Sequence, residues 1–173
     1  MFNPVFWLNK MIFVMKLILN IFLAYSFLRS YTLQIMFVIL GKVLFMIFSI
    51  AIAAADIKTG MVHRLIFILA FPLFIVLAQL QGVLMTTALT GALLGLSIFL
   101  LAYFVSGKKL GLADVWYSAI IGLVLGPWWW YTAMAFACVA GVVYIAASKK
   151  RKIPFIPLMA MSSTVINIIR AFF

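Results

Sequence analysis

From Thr86 to Val105 twenty consecutive residues pass without a charged side chain. A helix of that length spans about 30 Å, the thickness of a bilayer's hydrocarbon core. Comparable apolar runs extend from Met36 to Ala55, Leu65 to Leu80, Leu112 to Leu125 and Tyr131 to Ala147, and a last one ends at Phe173. In lipid every backbone donor and acceptor must be satisfied within the chain, and a helix does this segment by segment. Composition agrees, with 69% hydrophobic and 9% charged residues, against about 25% charged in a soluble domain. The sequence predicts an all-α polytopic membrane protein with six core transmembrane helices and one additional N-terminal helix. Residues 1–35 carry the extra helix, spanning or interfacial, and residues 36–173 the core domain.

The N-terminal stretch from Met1 to Leu28 is apolar but interrupted. Asn9, Lys16 and Asn20 fall on one helical face, with Lys10 beside them. No small-x-small cleavage site follows a clean apolar core, so it reads as a helix and not as a signal peptide. Arg29 to Gln34 forms a short polar break, and the helix from Met36 to Ala55 follows. Lys42 sits inside the near end of that helix, about 20 Å from Asp56, where its stem can snorkel outward.

The basic residues orient the bundle. Lys58 and Arg64, Lys108 and Lys109, and Lys149 to Lys152 occupy alternate loops, while the turns at Gln81-Gly82 and Pro127–Trp130 carry no charge. Positive loops stay on the cytoplasmic side, so all three face the cytoplasm. The net charge of +11 is thus an orientation signal and a contact for anionic membrane lipids, and no nucleic-acid partner is expected. Gly91-x-x-x-Gly95 and Gly122-x-x-x-Gly126 permit close helix approach. Trp128–Trp130 reads as an interface anchor, and His63 as a loop residue near the headgroups. Cys138 stands alone, which excludes a disulfide and a multi-cysteine zinc site; it reads as a small packing residue. No metal or cofactor is expected.

Only two acids occur in 173 residues, Asp56 and Asp114. Asp56 ends a helix entering the first basic loop and Asp114 begins one leaving the second. Both therefore emerge at one depth on the cytoplasmic side. An acid at membrane depth costs about 2.5–3.5 kcal/mol on insertion scales and points to function. Two carboxyls close together cannot both ionise cheaply, so one holds a proton while its partner acts as a base. Such a pair activates water and polarises a carbonyl. Gly111 and Ala113, just before and beside Asp114, leave room for a substrate strand. Two aspartates that merely cap helices or pair with Lys58 and Lys108 are the structural alternative.

Four stretches carry a further signal. Asp56-Ile57-Lys58-Thr59-Gly60-Met61-Val62-His63-Arg64 places an aspartate ahead of a short polar loop. Gly111-Leu112-Ala113-Asp114-Val115 and Ala119-x-x-Gly122-x-x-x-Gly126 lie along one helix. Ile153-Pro154-Phe155-x-Pro157-x-x-Ala160 opens the last helix. In these motifs the chain resembles the type IV prepilin peptidase family, a branch of the GxGD intramembrane aspartyl proteases, from about Met36 to Ala160. The first stretch follows the family's Asp with Ile-Pro-Asn six to eight positions later, the second its Gly-x-Gly-Asp, and the fourth its Ile-Pro-Phe-Gly-Pro-x-Leu-Ala. Departures are Ala113 for the second glycine, Val62-His63-Arg64 for Ile-Pro-Asn, Trp116 for lysine and Ile156 for glycine.

The resemblance implies an aspartic endopeptidase of the inner (cytoplasmic) membrane, multi-pass, with Asp56 and Asp114 catalytic on the cytoplasmic face. Gly111, Ala113, Pro154 and Pro157 would shape the substrate site. The implied partners are type IV pilin-like precursor proteins, from which a short basic leader is removed. Larger members of the family also methylate the new N-terminus with S-adenosylmethionine, using a cytoplasmic domain with paired cysteines. This chain shows neither, so cleavage alone is expected. A small transporter or proton-coupled channel using the two aspartates is the rival class, and an inactive assembly factor on the protease fold a third. Against transport stand the lack of an internal repeat or a broken mid-membrane helix, and acids near one face instead of the midplane.

Overall fold

The computed structural model describes Lys16 and residues 31–60, 62–107, 110–148 and 155–170. Most of the expected N-terminal helix, Lys108 and Lys109, Lys149 to Lys152 and Pro154 lie outside the described residues. The chain divides into two compact units, Met1–Met36 and Phe37–Phe173, and both aspartates belong to the second.

Five helices and no strands make up the described residues: α1 (Tyr31–Thr59), α2 (Arg64–Leu80), α3 (Met85–Val105), α4 (Leu112–Ser148) and α5 (Phe155–Ile169). Three contain segments long and apolar enough to cross a membrane, Leu33–Thr59, Met85–Val105 and Leu112–Ala147, while Leu65–Leu80 and Phe155–Ile169 are shorter apolar helices.

α1 is longer than its apolar run. The helix already includes Tyr31–Gln34, part of the expected polar break, and it continues through Thr59, one turn past Asp56. Ile57, Lys58 and Thr59 bring no helix breaker. Termination waits for Gly60, whose φ of 64° is the left-handed C-cap conformation, with its N–H donating to the Asp56 carbonyl at 2.8 Å. Lys58 in the last turn complements the negative end of the helix dipole. Asp56 is thereby held by a regular helix and not by a loop.

α4 folds back on itself at Gly126. This glycine has φ 78° and ψ 171°, outside helical space, and Pro127 follows it with no N–H to continue the ladder. The indole of Trp130 donates to Ser118 Oγ at 3.0 Å. In a straight helix those residues would stand about 18 Å apart, so the two arms lie side by side. The break leaves the last carbonyls of the first arm without their usual donors. One Arg170 nitrogen supplies them, donating to Val124 O at 3.1 Å and Leu125 O at 3.2 Å.

The first arm of α4 lies against α3 with almost no side chain between. A Cβ added at Gly91 would run into the Gly122 carbonyl, and one at Gly122 into the Gly91 carbonyl, as the small-xxx-small spacing anticipated. Ser118 Oγ also donates to Gly95 O at 3.2 Å. This close seam fixes the height of Asp114, which opens the same arm. α1 docks through aromatic edges: Phe45 and Phe48 lie 5.8 Å and 5.2 Å from Phe74, and Phe48 lies 6.4 Å from Tyr117 between ring centres.

Two expectations change. Trp128 is 77% exposed, as an anchor would be, but Trp130 is 2% exposed and sits in the core. The fold-back at Gly126 carries it inward, where its N–H finds Ser118. Cys138, expected to pack, is exposed, because the second arm of α4 turns that face outward.

Candidate active site

Asp114 lies in the first turn of α4 and is 8% exposed. Its position is set by a closed local circuit. Gly111 N–H donates to the Asp114 carboxylate (Oδ2) at 3.0 Å, and Asp114 N–H donates to Gly111 O at 3.1 Å. An acid in the first helical turn also meets the positive end of the helix dipole. The preceding loop is tied as well. Ser106 Oγ donates to Tyr103 O at 3.0 Å and accepts from Leu110 N–H at 3.3 Å, while Gly107 turns the chain with φ 64°. A Cβ at Gly111 would stand 3.1 Å from Asp114 Oδ2, so glycine here keeps the carboxylate uncrowded. Ala113, half-buried, packs on the core.

Asp56 is half-buried, facing the bundle from the last turns of α1. Its charge acts on the Asp114 carboxyl, and among the described residues no cation acts on either one. The structure therefore sets Asp56 on α1 within electrostatic reach of Asp114 on α4, with no described cation acting on either. The only described polar partner of the pair is a backbone N–H, which orients one carboxylate and leaves lone pairs for water. A low-dielectric pair of this kind can share one proton and use it at a carbonyl.

The other predicted site residues lie near or apart. Pro157 is in the first turn of α5, where a missing N–H costs no helix bond. Ile156, at the family's glycine position, is buried in the core, so its side chain serves packing. His63 is the exposed N-cap residue of α2, and its side chain makes no capping bond.

Sequence reading missed a polar cluster one turn below Asp114. Tyr117 Oη lies beside the hydroxyls of Ser49 and Ser163, yet neither Tyr117 Oη nor Ser49 Oγ reaches hydrogen-bonding geometry with a partner. Ser163 instead donates to Ala160 O at 3.2 Å. The spacing of Tyr117 from Asp114 (i, i+3) and of Ser49 from Asp56 (i, i−7) was the available signal, since both put a hydroxyl on the acid's own face. The cluster joins three helices that are far apart in sequence.

No curated protein and no solved structure matches the chain. The sequence profile of the type IV leader peptidase family does, over residues 43–146. That is more than half of the chain, and it spans both aspartates, the Gly91–Gly122 seam and the fold-back at Gly126. With apolar helices of membrane-crossing length around a pair of carboxylates, the chain is a membrane protein and belongs to the type IV leader peptidase family.

Proposed function

We propose that the protein is an intramembrane aspartic endopeptidase that removes the short basic leader of type IV pilin-like precursors. The observation that carries this reading is the placing of the only two acids, Asp56 and Asp114, within electrostatic reach of each other in the family-matched segment, with no described cation acting on either. The family acts on pilin precursors in general, and the dyad supplies the chemistry. In the working state one carboxyl is protonated and one ionised. The ionised group takes a proton from water as the oxygen attacks the scissile carbonyl carbon, and the protonated group gives its proton to the carbonyl oxygen. The resulting diol returns one proton to the dyad as the C–N bond breaks. The amine leaves with the proton first taken from water, and the pair is restored.

Placement explains specificity. Six core crossings and the N-terminal helix set the three basic loops, and with them both acids, on the cytoplasmic face of the inner membrane. The apolar helix of a precursor lies among the enzyme's helices, and its leader reaches the dyad. Gly111, Ala113, Pro154 and Pro157 shape the approach, and membrane lipids surround the exposed apolar faces. Methyl transfer is outside this activity: beyond the dyad no acid remains to hold the ribose hydroxyl of S-adenosylmethionine.

The test uses the purified chain in liposomes with a precursor whose basic leader precedes an apolar helix. Sequencing and mass measurement should show one cut at the leader junction and a free α-amine. Asp114→Asn should give no cut. Intact precursor, where membranes of the source cell cut the same substrate, would overturn the reading.

A further inference from the structure

At the end of the bundle away from the aspartates, a pocket of about 150 Å³ opens between α1 and α5, lined by Lys42, Val43, Met46, Thr164, Asn167 and Ile168. It is far larger than the ~10–15 Å³ one water needs. Lys42 lies about 21 Å along α1 from Asp56. Three observations bear on what the pocket holds.

Lys42 lines the pocket, and Arg170 lies near it. Arg170 follows Asn167 by one turn and is close enough for its charge to act on Lys42. One Arg170 nitrogen is used on the carbonyls of Val124 and Leu125, which leaves further N–H groups of the fork. The side-chain carboxylates of the chain, Asp56 and Asp114, are at the other end. Second, Asn167 is 5% exposed, and among the described residues no hydrogen bond satisfies its amide. Asn167 lines the pocket, so its amide is placed to donate to a ligand there. Thr164 adds a hydroxyl one turn away. Third, Val43 and Ile168 are exposed, so the pocket opens onto the outer apolar surface instead of an aqueous funnel.

We propose that this pocket binds the phosphate group of a membrane phospholipid. Lys42 and Arg170 neutralise the phosphate, Asn167 donates to one of its oxygens, and the acyl chains lie along Val43, Met46 and Ile168. A free phosphate shares the first part of this chemistry, but the apolar mouth favours a lipid. The inference is independent of the protease reading, since it uses none of the residues of the dyad.

The test uses the full chain in detergent, with lipid binding read by native mass spectrometry and stability by thermal unfolding. The probes are phosphatidylglycerol, diacylglycerol with the same acyl chains, and inorganic phosphate. Phosphatidylglycerol should bind and raise the unfolding temperature. Loss of one charge-assisted contact should weaken it about tenfold in Lys42→Gln, while Lys58→Gln, at the opposite end, should bind as the parent does. Asn167→Asp supplies an internal anion at nearly the same volume. It should lose lipid binding and unfold at a higher temperature without lipid, a result that misfolding cannot imitate. Equal binding of diacylglycerol, or parental affinity in both Lys42→Gln and Asn167→Asp, would overturn the site. Inorganic phosphate stabilising as well as phosphatidylglycerol would overturn the lipid assignment.

Discussion

The two ends of the bundle are built on opposite plans. At one end Asp56 lies within electrostatic reach of Asp114 with no described cation acting on either; at the other Arg170 lies near Lys42, away from both side-chain acids. In water such like-charge pairs would be screened within about 10 Å at ordinary salt. Between apolar helices they are not, and each pair needs relief. A carboxyl pair can relieve itself by keeping one proton, which is the state acid–base chemistry requires. In a Lys–Arg pair the guanidinium keeps its proton, so relief comes from loss of the lysine proton or from an anion that binds to both. Like charges in a membrane protein are thus informative in two different ways, as a reagent or as a receptor. Their sign decides which.

The largest effect that can break the comparison lies at the acidic end. Asp56→Asn and Asp114→Asn should each lower cleavage by about 10⁴-fold or more, and the double variant should be no worse, because the pair acts as a unit. Unfolding temperatures should hold. If they fell with the activity, the acids would be structural and the two ends would no longer differ in kind.

A smaller effect tests the frame that holds both ends in place. Gly91→Leu forces a side chain into the Gly122 carbonyl. It should destabilise the detergent-solubilised protein by about 2–3 kcal/mol in a denaturant titration. Lipid binding and cleavage should decline together, since α3 and the first arm of α4 position Asp114 and the Arg170-capped carbonyls alike. An unchanged midpoint would mean that the seam is not tight.

Between the ends, Ser118→Ala removes the acceptor of the Trp130 indole and the donor to Gly95 O. The expected loss is about 1 kcal/mol, read from the same titration. Trp130→Phe should add little to it, because the two share one interaction.

The smallest change sharpens the boundary of the acidic end. Tyr117→Phe deletes a buried hydroxyl that has no hydrogen-bond partner, so stability should stay within about 0.5 kcal/mol or rise slightly. Measured cleavage then reports whether the Ser49–Tyr117–Ser163 cluster belongs to the catalytic end. Parental turnover would confine that end to the two carboxylates.

Much of this was legible in the chain because the signals are local. The uncharged run from Thr86 to Val105 requires a helix by hydrocarbon physics alone, and Gly91-x-x-x-Gly95 announces a close partner without naming it. Asp56 and Asp114 stood out by scarcity. The misreadings share one cause. Trp130 looked like part of an anchor because it follows Trp128 and Trp129, yet the φ of Gly126 turns it to the opposite side. The end of α1 was placed at Ala55 because apolarity stops there, whereas the backbone stops at Gly60.

The sequence by itself determined the class of the molecule, the number of its acids and the helices on which they sit. Those follow from transfer energies and from backbone hydrogen bonds that each segment satisfies internally. The tertiary structure alone decided that Ser118 would meet Trp130, that Arg170 would cap Val124 and Leu125, and that Lys42 would share a pocket with Asn167. Each of those pairings joins residues too far apart for any periodicity to encode. They depend on which helix faces lie against each other, and the apolar surface of a membrane helix is too uniform to specify that locally. The few polar groups and glycines choose the faces, and they do so only when the helices are packed together.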